Sequence, residues 1–264
     1  MKSKIAQAIR MKYSPVVVLW SDEKPEGALE FKEGARGCLM PLVCAAAKGK
    51  TAVISRETCG CNGGYTGLGF GTRYDDFPGG IEHFLSTGNP ELLETEEGRK
   101  IAERNPDMLK GERYVKTPEL ARKFIAALPI VNIPAKHVVF KPIEQLREGE
   151  EPKSVIFFVN PDQLSALVVL ANYGRESADS VVVEMGAGCH QIGIQVYREG
   201  DSDFPKAVIG QTDLSSRKVT NKILGRDILS FAVPFKMFEE MESNVEGSFL
   251  ERDTWAEVMK ISEL

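Results

Sequence analysis

The chain reads as an α/β (α+β) protein: two strand–helix–strand units of one layout, related by a pseudo-twofold axis, with a helical insertion between them. Three observations predict this. Short β-branched runs alternate with longer apolar stretches of helical pattern, the order expected of strands covered by helices. The series VVVLW (Val16 to Trp20), CLMPLVCAAAKG and TAVIS has a counterpart in SVIFFV (Ser154 to Val159), DQLSALVVLANYG and DSVVVEM. Each series then runs into a glycine–cysteine turn, CGCNGG in the first and GAGCHQ in the second.

Laid over one another, the two units pair Leu39 with Leu164, Leu42 with Leu167, Val43 with Val168, Ala46 with Ala171 and Gly49 with Gly174. A three-residue insertion later, Gly60-Cys61 falls on Gly188-Cys189. Generic helix patterning also gives such matches, but a helix-ending glycine followed by a Gly-Cys turn in the same order favours duplication. The halves then span about 14–72 and 137–200, and Cys61 and Cys189 become symmetry mates just beyond strands, where α/β sheets place ligands. Between them, an insertion over about 75–130 carries helices near 81–87, 91–104 and 117–127, the last opened by Thr117-Pro118 as cap and first residue. HVVFKPI is a further strand, and REGEEPK (Arg147 to Lys153) is an exposed turn. After Cys189, IGIQVY and KAVIGQ read as strands. The chain closes with helices over about 219–261, at 219–242 and 252–261, the first kinked or split at Pro234. Residues 1–264 are read as one domain.

Composition excludes several functions. The formal net charge is -5, with Lys and Arg interspersed among acids, which argues against binding a phosphate backbone. No apolar run approaches the roughly 18 residues needed to span a bilayer. The first residues, MKSKIAQAIRMKYSP, lack the apolar stretch of a signal peptide, so a cytoplasmic location is expected. Thiols stay reduced there, and five cysteines cannot all pair.

Those cysteines are the chemical focus. Cys38 follows Arg36-Gly37 at an expected helix start, where backbone N–H groups favour a thiolate. Cys59 and Cys61 form C-x-C in a turn whose Gly60, Gly63 and Gly64 allow unusual backbone angles. Cys44 is rotated about 240° from Cys38 on the helix and reads as a buried small hydrophobe. Cys38, Cys59, Cys61 and Cys189 are therefore the expected ligands of an iron–sulfur cluster, with zinc or no metal as alternatives, and Gly63 and Gly64 as N–H donors. Iron–sulfur is preferred because zinc knuckles usually staple small domains, and this chain has core to spare.

Other features are weighed in the same way. The run GGYTGLGFGT (Gly63 to Thr72) is either a ligand cradle or a loop passing tightly over another backbone; it is not a P-loop. His190 adjoins Cys189 and is a weaker ligand candidate, whereas His83 and His137 read as structural. Asp75-Asp76 reads as a turn. In TDLSSRK, Asp213 and Arg217 either hold an anionic ligand, together with Arg73, or cap the next helix.

Taken together, Cys61-Asn62-Gly63-Gly64, Leu68-Gly69-Phe70, VVFKP, Gly188-Cys189 and Asp213-x-Ser215-x-Arg217 resemble domain-of-unknown-function family 169, from Val16 through about Met241. The family pattern also has a cysteine before an Ala-x-x-Gly helix end; here Ala-Lys-Gly leaves Cys38 and Cys44 as alternatives. The resemblance implies a shared cysteine site in an uncharacterised archaeal and bacterial family, and no known activity. The expected function is a redox-related iron–sulfur or metal-binding protein. The alternative is an enzyme or binding protein for a small anionic molecule, using the glycine-rich loop and a reactive cysteine. Expected partners are a redox protein or a small anionic ligand, with no nucleic acid and no membrane; a homo-oligomer is allowed.

Overall fold

The computed structural model describes residues 1–261. It divides into two compact units, one formed by Met1–Phe70 with Val131–Leu264 and the other by Gly71–Ile130.

The larger unit is built on strands β1 (Val16–Ser21), β2 (Ala52–Ser55), β3 (His137–Pro142), β4 (Pro152–Val159), β5 (Val181–Val182), β6 (Ala207–Gly210) and β7 (Leu229–Pro234). They form one sheet in the order β2-β3-β1-β4-β7-β6-β5. Every pairing is antiparallel except β5 with β6. Chain order supplies its helices as α1 (Lys4–Ala8), α2 (Met40–Ala47) and α3 (Asn62–Gly67). The smaller unit holds α4 (Ile81–Leu85), α5 (Glu96–Arg104), α6 (Asp107–Lys110) and α7 (Pro118–Ala126). The larger unit resumes with α8 (Pro161–Asn172), α9 (Gly188–Gln191), α10 (Ile194–Gly200), α11 (Leu214–Ile223), α12 (Phe235–Ser243) and α13 (Asp253–Ile261).

Alternation along the strands sorts the core into two layers. Val16 and Val18 of β1, Val138 and Phe140 of β3, and Ile156 and Phe158 of β4 join one cluster with α2, the α3 segment, α10 and α11. Val17 and Leu19, Val139, and Val155, Phe157 and Val159 join the other, with α1, α8, α12 and α13. Both faces are covered, which explains why the central strands read as nearly continuous apolar runs.

This layering bears on the expected duplication. The strand–helix–strand order occurs twice, but α2 packs on one face and α8 on the other. A twofold axis perpendicular to the sheet, the kind that relates the antiparallel neighbours β1 and β4, keeps helices on one face. The internal duplication is therefore not shown, and the Leu39–Leu164 series reflects two apolar helix faces of similar pattern.

Three further expectations are corrected. IGIQVY is helix α10 rather than a strand: Ile194, Gln195, Val196 and Tyr197 are all buried, so its helical period is masked. The first part of the helix expected at 219–242 is α11, which ends before Gly225; LSFAVP is then strand β7, pairing with β4 and β6. The stretch after Cys61 is α3, not an open loop.

In the smaller unit, Thr117 caps α7 by accepting from the Leu120 N–H, with Pro118 in the first turn. Phe77 and Phe84 pack at a tilt with centroids 5.4 Å apart, and Met108 is fully buried. Asp75 and Asp76 lie in a turn.

Candidate functional site

The cysteine loops are joined backbone to backbone. The Gly37 N–H donates to the Gly60 carbonyl at 3.3 Å. A Cβ at Gly60 would lie 1.8 Å from the Ala35 carbonyl oxygen, so only glycine permits the approach. Cys38 therefore stands beside Cys61. It lies two residues before α2, and its sulfur accepts the Met40 N–H at 3.4 Å, serving a helix start whose cap residue Leu39 has no side-chain acceptor.

Cys61 is the cap of α3, in extended conformation, and its sulfur accepts the Gly64 N–H at 3.2 Å. Oxygen usually fills this role. The N–H groups of Leu39 and Gly63 also lower the Cys61 thiol pKa, but burial outweighs all three and leaves it raised. The sequence-predicted donors Gly63 and Gly64 thus act on a cysteine sulfur. Gly64 has a second task, since a Cβ there would sit 2.3 Å from Leu39 Cδ2.

Cys189 arrives from the other segment. The end of α3 packs directly on α9: a Cβ at Gly67 would meet the Cys189 carbonyl carbon and the His190 nitrogen at 2.8 Å. A Cβ at Gly193 would fall 2.0 Å from the Gly67 carbonyl oxygen. Here the glycines serve close backbone packing, as the tight-passage reading of GGYTGLGFGT expects.

Electrostatics tie the thiols together. Burial raises the Cys38 thiol to about 11, with the neighbouring Cys61 and Asp213 adding to the shift, although the residue as a whole is exposed. Cys189 is buried and raised well above the ordinary range, first by burial and then by Cys61, Cys38 and Asp213. Three thiols from three segments, with Asp213 beside them, share one electrostatic neighbourhood.

The remaining candidates have structural partners. Cys59 is 3% exposed within the apolar cluster, its Sγ donating toward the Cys61 carbonyl at 3.5 Å. Cys44 is buried in α2 and pushed up to about 12, chiefly by burial. Asp213 caps α11, accepting from the Ser215 and Ser216 N–H groups, and also accepts the Gly188 N–H at 3.3 Å. The Arg217 guanidinium donates to the carbonyls of Gln211, Ile228 and Arg226, which ties loops together. Arg73 belongs to the smaller unit. His190 is buried and its pKa is lowered to about 4, so it stays neutral at pH 7. His137 pairs with the Ser55 hydroxyl at 2.9 Å, and His83 lies in α4.

Sequence reading missed Gln211. It is fully buried and holds a left-handed φ of 62°. Its Nε2 contacts Met40 Sδ at 3.7 Å, and its Oε1 accepts the Ser216 hydroxyl at 3.3 Å. No periodicity marks such a residue; a polar side chain just after a β-branched strand was its only sign.

Among the described residues, no group of three or more His, Cys, Asp or Glu side chains is placed to hold a metal ion. No described helix is long and apolar enough to cross a membrane. A family model, DUF169, described as Uncharacterised ArCR, matches residues 4–244. No curated protein and no solved structure matches the chain.

Proposed function

The chain belongs to the uncharacterised DUF169 family, and we propose that it uses Cys38, Cys61 and Cys189 as a thiolate site for a soft metal or iron–sulfur cluster in a redox-related role. The joining of the three cysteine segments carries the reading: the Gly37 N–H donates to the Gly60 carbonyl, and Gly67 packs on the Cys189 and His190 backbone. Three neighbouring cysteine segments, with backbone N–H groups aimed at the Cys61 sulfur, offer the donor type that soft metals and clusters take from a protein. Cys59 is left out, because its sulfur is committed to the core and to a carbonyl.

The sulfurs do not stand at ligand spacing, so loading draws them together. Cys38, exposed on a loop with left-handed Gly34 and Gly37, is the member with room to move. A cluster bound there would supply one-electron exchange. The chain's own contribution would be to hold the sulfurs on two clamped loops and to lower their charge with N–H donors.

The nucleophile alternative needs a lowered thiol pKa. With Cys38 at about 11, only about one molecule in ten thousand carries that thiolate at pH 7. Zinc remains within the soft-metal class, and a small anionic ligand gains little support from Arg217, whose two terminal nitrogens already donate to carbonyls.

The test is anaerobic titration with Co2+, then reconstitution with iron and sulfide, on the wild-type chain and on Cys61→Ser and Cys59→Ser. Loss of metal in Cys61→Ser with retention in Cys59→Ser is expected. Full metal and colour in Cys61→Ser would sink the assignment.

A further inference from the structure

The turn that follows α1 gathers positive charge around one pocket. Lys2, Arg10 and Lys12 line a cavity of about 420 Å³ together with Gln7, Ser14 and Glu144. Among the described residues, three cations thus face a single carboxylate, in a chain whose formal net charge is -5. No described carboxylate forms an ion pair with Lys2 or Lys12. Lys4, on the same helix, differs: its ammonium lies 2.6 Å from Glu246 and does not line the pocket.

Arg10 is held there against its backbone preference. Its N–H donates to the Gln7 carbonyl at 3.1 Å, and the Met11 N–H donates to the Ala6 carbonyl at 2.9 Å. This is the bonding of a helix end whose left-handed residue is usually glycine, and Arg10 takes that position with a φ of 50°. Buried Gln163 fixes the turn, its Nε2 donating to the Ile9 and Arg10 carbonyls at 3.1 Å each. A strained non-glycine residue that sets a charged side chain in a pocket points to a site. The other walls are also fixed. Glu242 accepts the Lys4 N–H at 2.8 Å and the Ile5 N–H at 3.3 Å, anchoring the start of α1. The Ser14 N–H donates to the Ala47 carbonyl at 3.0 Å, and the Ile143 N–H donates to the Pro15 carbonyl at 2.9 Å, which brings Glu144 to the rim. With the backbone pre-organised, binding has chiefly side-chain ends to order.

We propose that this pocket binds a small, multiply charged oxyanion of the phosphate or polycarboxylate type, held by Lys2, Arg10 and Lys12. The planar guanidinium offers paired N–H donors to two oxygens of such a group, and the two ammonium groups add point charges. Glu144 offsets one cation, so a group with two or more negative charges best matches what remains. The pocket shares no residue with the cysteine loops, nor with Arg73, Asp213 and Arg217, and stands whether or not the cysteines take a metal.

The test is calorimetric titration of the full chain with pyrophosphate and with citrate, at low and at high ionic strength. The wild type should bind at least one of them saturably, and more weakly at high salt, where screening is stronger. Tighter binding of pyrophosphate would identify a phosphate-bearing ligand, and tighter binding of citrate a polycarboxylate. Arg10→Gly and Lys12→Gln should each weaken binding about 10-fold or more, the usual effect of losing a charge-assisted contact. Arg10→Gly also relieves the left-handed strain, so its urea midpoint should match or exceed that of the wild type. Lys4→Gln, outside the pocket, should bind like the wild type. Absence of saturable binding of either anion overturns the proposal, as does unchanged affinity in Arg10→Gly and Lys12→Gln. An equal loss in Lys4→Gln and Arg10→Gly also overturns it, by reducing the effect to general surface charge.

Discussion

The two faces of the sheet are built to different standards. On the face carrying α1, α8, α12 and α13, the packing is mostly apolar: Phe157 lies 6.4 Å from Phe231 and 6.1 Å from Phe238 between ring centroids. Its polar contacts close at the edges, as where Gln163 Nε2 donates to the carbonyls of Ile9 and Arg10. The cysteine face is different. It collects Cys38, Cys61, Cys189, Gln191, Gln195 and Gln211 over the same strands. Ser154 and Ser230 point to that face by strand alternation, and their hydroxyls lack hydrogen-bond partners among the described residues. Gln191 Oε1 and Gln195 Oε1 share that condition. One face is optimised for stability. The other leaves several buried polar atoms without partners around its glycine-clamped cysteine loops, which costs stability.

The contrast is most easily broken by mutating the apolar face. Phe157→Ala should cost about 3–5 kcal/mol, read as a lower urea midpoint. Metal uptake under folding conditions should be unchanged. Altered Co2+ affinity in the folded variant would mean that the faces are coupled. A smaller effect is expected where backbones touch on the cysteine face. Gly60→Ala places a Cβ on the Ala35 carbonyl, and relief by shifting the loop should cost about 1–3 kcal/mol. Because the shift parts Cys38 from Cys61, Co2+ affinity should fall more steeply than stability. Equal losses in both would make the clamp merely structural.

His190 sharpens the comparison through pH. Burial depresses its pKa to about 4 from the ordinary 6.5. The unfolded chain therefore takes up the proton first as pH falls. The stability due to neutral burial is present above about 6.5 and is lost between there and about 4, on the order of 3 kcal/mol in total. His190→Gln should flatten that window in urea unfolding at successive pH values. An equally steep acid limb in the variant would assign the loss to other groups.

How much of this was legible follows from the same physics. Strands β1 to β6 showed as β-branched runs, β5 within DSVVVEM, and helix α7 showed through its Thr117-Pro118 start. Helix α10 did not, because burial on all sides erases the period that identifies a helix. Strand β7 was hidden by the reverse effect: LSFAVP is buried on both faces, lacks alternation, and ends in the Pro234 that suggested a kink. At the site, Cys61 and Cys189 were visible through their glycine turns, and the structure brings them together without the symmetry that first linked them. Cys59 was indistinguishable from Cys61 in C-x-C, since neighbouring side chains can face core and cap with nothing in the spacing to say which. Gln211 was beyond reach because its contacts with Met40 and Ser216 are made only in the fold.

The smallest expected change in stability is the most direct probe of whether the thiols share one site. Asp213 is named among the causes that raise Cys38, Cys61 and Cys189 alike. Asp213→Asn removes the negative charge while keeping a side-chain oxygen for the α11 cap, so stability should fall by about 1 kcal/mol or less. The thiols should nonetheless all move down together. Cys38 is exposed, so its alkylation rate at pH 8 reports the change, and the variant should react faster than wild type. Raised thiols also give the metal-free protein an alkaline weakness. The unfolded chain ionises near pH 9 while the folded thiols resist, so stability is full below about 9 and declines toward about 11, where Cys38 ionises. Removing Asp213's charge should make that decline shallower. An unchanged alkylation rate together with an unchanged alkaline limb would show that Asp213 and the sulfurs do not sense one another. The cysteine face would then be three separate thiols, and its polar character would need another explanation.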